Sequence, residues 1–325
     1  MKLHMIKSIT VEEQVVDLKE PFITSLRHLH SYPIVQVVIE LESGETGIGQ
    51  CVATPQIADD THQEILNDLN SKLVQGLKEI SAEDILELPI LPSSRAALDM
   101  ALWFIGSHAQ RAVKTDVTIP ISNLYDLRQI VRSRVDAGFQ HFKLKVNQGS
   151  IGELLQRIDL IREVAGDNTP IRIDPNQAWS LEFAVDASRE LEKSGAFIEY
   201  LEQPLSRSNL SGHKSLSQEI VIPLMADESC FSARELEGIV ESQAFKYLNV
   251  KILKSGGIFP ALSLIKEAQD AGLNISIGSM MEGEVGIRAA IYLAAETAPD
   301  AIHDLDAAWW FKKSEITYAE GMVYS

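Results

Sequence analysis

The sequence predicts a (β/α)8-type barrel that carries an N-terminal α+β cap. Three observations lead there. From about residue 116 onward, short apolar strands alternate with amphipathic helices at a spacing of roughly 25 residues. The chain before that point holds hairpin and capping-box signals without that alternation. Lysine or acidic residues stand at the predicted C-terminal ends of successive strands, where barrel enzymes place their chemistry. The rival arrangement is an open doubly wound sheet. It would usually show a glycine-rich phosphate turn after its first strand, and residues 119–123 contain no glycine.

In the cap, assigned to residues 1–112, strands are expected at 5–9 and 11–18. Strands at 34–41 and 46–51 flank Glu42-Ser43-Gly44-Glu45, a hairpin turn with glycine. A polar loop at 25–33 holds Arg27, His28 and His30, and a second loop covers 52–60. Thr61-His62-Gln63-Glu64 is a capping box opening a helix to about residue 74. Ser81-Ala82-Glu83-Asp84 is a similar start, and a third helix is expected at about 94–108. His28 and His30 have the spacing of metal ligands but no third ligand nearby, which favours polar loop residues.

The barrel is assigned to residues 113–309, with a tail of about 310–325 packing back on the cap. Its strands are expected near 117–121, 142–146, 171–174, 197–202, 220–227, 247–251, 274–278 and 301–304. The helices between them include 124–137, 151–165, 181–194, 233–242, 259–271 and 286–298.

Composition narrows the function classes. The 325 residues are 45% hydrophobic, enough for a real core, and the net charge is −17. That charge argues against nucleic acid and anionic membrane as partners. No apolar run is long enough to cross a bilayer, and the first residues show no secretory apolar region. Cys51 and Cys230 do not make a disulfide framework, and a reducing cytoplasm fits. Oligomeric state is left open, a homo-oligomer included.

The chemistry centres on His141–Val146, HFKLKV. Alternation puts Phe142, Leu144 and Val146 on one face and Lys143 and Lys145 on the other. Two adjacent lysines raise the cost of charging each other, so at least one pKa is expected to be lowered. The third, fourth and fifth strands end in Asp174 (DPN), Glu202 (EQP) and Asp227 (DES). Each acid alone could simply cap the following helix. Three on adjacent strands would converge and repel, and a hard divalent cation, Mg²⁺ rather than Zn²⁺, relieves that repulsion. Lys145 and Lys251 end the second and sixth strands, which face each other across an eight-stranded ring. Such a pair can remove a proton from one face of a carbon and return one to the other, with a neutral lysine as base. Gly256-Gly257 after Lys254 lacks a phosphate-loop pattern and reads as a tight turn; Cys230 lacks a partner that would make it a nucleophile.

The set KLK, DPN, EQP, DES and VKxxKSGG, in this order and spacing, resembles the muconate lactonizing branch of the enolase superfamily over nearly the whole chain. The resemblance implies a (β/α)7β barrel, Mg²⁺ held by Asp174, Glu202 and Asp227, and Lys145 and Lys251 as the acid/base pair. It also implies that loops 25–33 and 52–60 close over the mouth. Asp304 and Asp306, two apart at the eighth strand, should share a face and bind a cation. That Asp-x-Asp is similar to the dipeptide epimerases, in which such acids hold the substrate's N-terminal ammonium. Arg27 matches the segment that meets a Glu side-chain carboxylate, which would suit Ala-Glu dipeptides from murein. Thr118, Lys143, Ser279, Met280 and Met281 are further expected substrate contacts, with Asn176 supporting the metal site. Trp309 and Trp310 depart from the best-known epimerases and are expected to reshape the pocket for the first residue. The expected activity is a Mg²⁺-dependent dipeptide epimerase. The alternatives are an o-succinylbenzoate synthase or N-acylamino acid racemase, and a catalytically silent metal-binding regulatory protein.

Overall fold

The structure, a computed structural model, describes residues 3–24, 28–106 and 109–325. In the cap, one long strand, His4–Ile23, pairs antiparallel with His28–Leu41, which pairs in turn with Thr46–Cys51. Gly44, at φ 86°, makes the turn between the last two. The helix Pro92–Trp103 lies directly on this hairpin. A Cβ at Gly47 or Gly49 would come within 1.9 Å of the Ala101 or Ala97 carbonyl oxygen, so glycine is what permits the approach.

The cap departs from expectation in four places. The strands expected at 5–9 and 11–18 are one continuous strand, His4–Ile23. The loop expected at 25–33 is shorter, because residues from His28 onward already belong to the strand. Pro33 is tolerated there because Thr46–Cys51 begins to pair only at Val35, leaving the neighbouring edge free. The helix expected at 61–74 is two, His62–Leu69 and Lys72–Gln75, divided where Ser71 caps the second. The helix expected at 94–108 is Pro92–Trp103, entered through the proline at its first turn.

Seven parallel strands pair in sequence order: Val117–Ile119, Phe142–Lys145, Ile171–Asp174, Ile198–Glu202, Leu224–Ala226, Tyr247–Lys251 and Asn274–Gly278. The eighth, Ile302–His303, pairs parallel with Lys114 and Thr115 of Ala112–Thr115, while Asp304 bridges Gly278. The ring therefore closes as a (β/α)7β barrel. One connecting helix, Leu210–Glu219, was not anticipated, and the strand expected at 220–227 is only Leu224–Ala226. The helix buries only Gly212, His213 and Leu216, too few apolar residues to print a period on the sequence.

The tail touches the cap at its root, where Phe311 bridges Leu18 and the Lys312 N–H donates to the Asp17 carbonyl. Beyond that it departs from expectation. Its hairpin, Thr317–Ala319 and Met322–Tyr324, joins Ala112–Thr115 instead of the cap sheet. Among the described residues no helix is long and apolar enough to cross a membrane.

Candidate active site

The second strand delivers both lysines inward. Lys143, 1% exposed, reaches three strands at once: its Nζ lies 3.2 Å from Asp174, 2.7 Å from Glu202 and 2.9 Å from Asp304. Lys145 Nζ donates to Asp174 Oδ2 at 2.5 Å and to Asn176 Oδ1 at 3.3 Å. On the sixth strand Lys251 donates to Asp227 Oδ2 at 2.7 Å. Lys254, in the turn that follows, donates to Asp227 Oδ1 at 2.7 Å and to the Asp227, Cys230 and Asn249 carbonyls.

For Lys143 these contacts run against the expected lowering. Burial alone would lower Lys143, but Asp304, Glu202 and Asp174 outweigh it and hold the ammonium well above its usual range. Lys251 is likewise raised, with Asp227 outweighing burial. Carboxylates, not the neighbouring lysine, dominate here. Asp227 is lowered, because Lys251 and Lys254 overcome the burial that would raise it. Burial raises Glu202, with help from Asp174 and Asp227. Burial, then Asp227 and Asp174, push Glu228 up to about 8.

Of the three acids expected to converge, Asp174 and Glu202 meet at the Lys143 ammonium. Among the described residues no three His, Cys, Asp or Glu side chains stand close enough to cage a metal. Ammonium groups are inserted between the carboxylates instead. The donor set nevertheless suits a hard cation. Six buried acidic side chains (Asp174, Glu202, Asp227, Glu228, Asp304 and Asp306) gather with four buried lysines (Lys143, Lys145, Lys251 and Lys254), an oxygen-rich set of the kind a hard cation takes. Glu228 Oε2 and Asn249 Oδ1 are buried without a hydrogen-bond partner.

Asp304 and Asp306 were expected on one strand face, but the strand ends at His303 and Asp306 instead starts the 3₁₀ turn Ala307–Trp310. Asp304 accepts from Lys143, and Lys143, Lys251 and Lys145 hold it low against burial. Asp306 accepts from the Thr118 N–H at 2.6 Å and Trp310 Nε1 at 3.1 Å, and is raised by burial and by Asp304. Both still line the cavity at the mouth, together with Lys145, Lys251 and Asn176. Thr118 and Ser279, Met280 and Met281 line it as well, and Phe22, Thr24 and Ile57 come from the cap.

Neither tryptophan lines that cavity; Ala307 does. Trp310 is buried edge-on against Phe22 at 5.0 Å and acts through Asp306. Trp309 packs against Phe139 and Tyr318 under the Lys19 ammonium. Arg27 lies outside the described residues. His28 and His30 are exposed on a strand, not in a loop, with rings 5.1 Å apart. Burial pushes the Cys230 thiol up to about 12, which suits a packed residue. Gly256 and Gly257, at φ 83° and 145°, form the turn into the next helix.

Sequence reading missed Lys254, Asn249 and the cap's Phe22 and Ile57 as site residues. Asn249 was findable, since it stands two before Lys251 on the same strand face. Lys254 stands in VKxxKSGG and before the glycines, but nothing there marks it as a site residue. Nothing in the local pattern of Phe22 or Ile57 separates them from core residues.

Residues 5–115 match the family model described as the mandelate racemase / muconate lactonizing enzyme N-terminal domain, and residues 126–324 match the enolase C-terminal domain-like model. The chain belongs to the mandelate racemase / muconate lactonizing enzyme family. It is similar to the L-Ala-D/L-Glu epimerase of Clostridium acetobutylicum, at 30% identity over 93% of this chain and 90% of that protein. The hydrophobic dipeptide epimerase of Enterococcus faecalis is 32% identical, over 96% and 93% respectively. Among solved structures, the substrate-liganded L-Ala-D/L-Glu epimerase from Bacillus subtilis superposes with a TM-score of 0.91 at 29% identity, covering 98% of this chain and 96% of that one. The Enterococcus faecalis dipeptide epimerase complexed with Mg and L-Leu-L-Tyr gives 0.88 at 29% identity with the same coverages. As a member of this family the chain is an isomerase of the enolase superfamily.

Proposed function

We propose that this enzyme is a Mg²⁺-dependent dipeptide epimerase that inverts the α-carbon of the C-terminal residue. The observation that carries the proposal is one cavity lined by Lys145, Lys251, Asp304 and Asp306 together. It is supported by the relatives named dipeptide epimerases, including structures complexed with Mg and a dipeptide.

Asp174, Glu202 and Asp227 would hold the metal, whose charge stabilises the electron-rich carboxylate end of a substrate that has lost its α-proton. The rest is done by the chain's own groups. The second and sixth strands stand four places apart in a ring of eight, so their lysines approach from opposite sides. Lys145, as a neutral amine, takes the α-proton from one face, and Lys251, as an ammonium, delivers a proton to the other. The opposite enantiomer reverses the roles. Asp304 and Asp306 hold the substrate's ammonium end and so fix which carbon lies between the lysines. Lys143 ties Glu202 to Asp304, linking the two ends of the site through one side chain.

The test is a panel of free dipeptides in D₂O with Mg²⁺, followed by NMR. The expected result is deuterium at the α-carbon of the second residue, with both configurations accumulating. Exchange only with N-succinyl amino acids would favour the racemase alternative. No exchange with any member of either class would overturn the proposed function. Ala-Glu is the first dipeptide to try.

A further inference from the structure

Residues 52–60 of the cap reach the cavity through Ile57, which lines it beside Lys145 and Lys251. The base of this loop is tied by Asp60, which accepts from the Thr54 N–H at 2.7 Å and from the Ser93 hydroxyl. The Ile57 and Ala58 N–H groups both donate to the Thr54 carbonyl at 2.8 Å, so the tip is a compact turn closed on itself. A side chain from the barrel then grips that tip. Arg207, in the segment after the fourth strand, donates through Nη1 to the Ile57 carbonyl at 2.8 Å and through Nη2 to Asp59 Oδ2 at 2.9 Å.

Arg207 is firmly seated. Its N–H donates to Gln177 Oε1 at 2.8 Å and its carbonyl accepts from the Ser229 hydroxyl at 3.3 Å. Gln203 Nε2 donates to that hydroxyl, and Gln203 Oε1 accepts from the Asp227 and Ser229 N–H groups. The arginine is thus braced on the segments that follow the third, fourth and fifth strands, which carry Asp174, Glu202 and Asp227. Asp59, Gln177 and Gln203 all adopt left-handed backbone, at φ 57°, 70° and 40°. Such conformations persist where surrounding bonds over-determine them, and here Asp59 meets the guanidinium while Gln177 and Gln203 support the Arg207 backbone, directly and through Ser229. The ion pair itself is open to solvent, with Arg207 42% and Asp59 76% exposed, so it contributes little alone. The planar fork makes the carbonyl bond and the ion pair from two separate nitrogens held in one plane, a fixed geometry that the single nitrogen of a lysine does not reproduce.

We propose that Arg207 is a latch: a positioning residue that holds the 52–60 loop, and with it Ile57, over the reaction cavity. This rests on the reading of that cavity as the reaction site. Opening the latch would uncover the bound substrate without disturbing the lysines or acids, so it governs capture and release.

The test uses the full chain. Hydrogen–deuterium exchange without substrate reads the loop independently of turnover, through the protected Ile57 and Ala58 amides. Arg207→Ala is expected to speed their exchange by about tenfold, and Arg207→Lys and Asp59→Ala by about twofold to threefold, since each keeps part of the grip. With a dipeptide that turns over, Arg207→Ala should raise KM about tenfold while kcat stays level or rises. Unchanged exchange in a folded Arg207→Ala protein overturns the latch, and so does a fall in kcat at constant KM. Should Arg207→Ala fail to fold, exchange in Asp59→Ala decides in the same way. If wild type turns over no dipeptide, the proposed function falls while the exchange result still settles the latch.

Discussion

On the barrel side of the cavity, charges are buried and interlocked, with each lysine in contact with at least one carboxylate and Lys143 with three. On the cap side the wall is Phe22, Thr24 and Ile57, and the ion pair that holds Ile57 in place is exposed. Buried charge needs every partner in position, because breaking one pair strands the other charge in a poor solvent. Apolar walls and exposed pairs tolerate exchange. Under the proposed function, proton chemistry falls to the part of the molecule that can least be altered, and access to the cavity to the part that can.

Substitutions should reproduce that ranking. Lys145→Ala and Lys251→Ala should each abolish epimerisation, a loss on the order of 10³-fold or more. Each should also spare isotope exchange from at most one enantiomer, as read by NMR in D₂O. Two variants that both still epimerise would break the assignment. Asp306→Asn comes next. Removing one charge-assisted bond to the ammonium should weaken dipeptide binding by about ten- to a hundredfold, while Mg²⁺ affinity measured by calorimetry stays nearly constant. On the cap, Ile57→Ala should change KM by only about threefold to tenfold, with preference moving towards bulkier dipeptides in the same substrate panel.

The smallest effect concerns stability and pH. Asp99 of the cap helix accepts from the Ile258 and Phe259 N–H groups at 2.6 and 3.3 Å, capping a barrel helix across the domain boundary. Burial outweighs those two bonds and raises its carboxyl to about 6, above the unfolded value. The native state therefore binds more protons than the unfolded chain between about pH 4 and 6, and this group's contribution to stability falls as pH rises through that window. Asp99→Asn keeps an acceptor but removes the titration. Relative to wild type, its Tm should gain steadily from pH 4 to 6.5; a constant difference would place the titration elsewhere.

The barrel was legible because parallel strands buried on both faces read as apolar runs, and because chemistry at their ends interrupts those runs at predictable places. Asp174, Glu202 and Lys145 close their strands as expected, and Lys251 closes the sixth. Leu210–Glu219 was missed because glycine and histidine take two of its three buried positions. The upward shift of Lys143 was not legible because the sequence shows which charges are neighbours along a strand, not which lie across the barrel. Lys143 has one lysine beside it in sequence and three carboxylates around it in space. Phe22 and Ile57 were invisible as site residues because their role depends on how the cap docks.

The eighth strand closes the ring through two residues and a single bridge at Asp304. Such a seam has little backbone pairing to resist thermal breathing, so the wall should part there before it parts between the sixth and seventh strands, which pair over five residues. A dipeptide clasped by Asp304 and Asp306 would span that joint like a rivet. Bound substrate should then toughen the enzyme most where its own hydrogen bonding is thinnest.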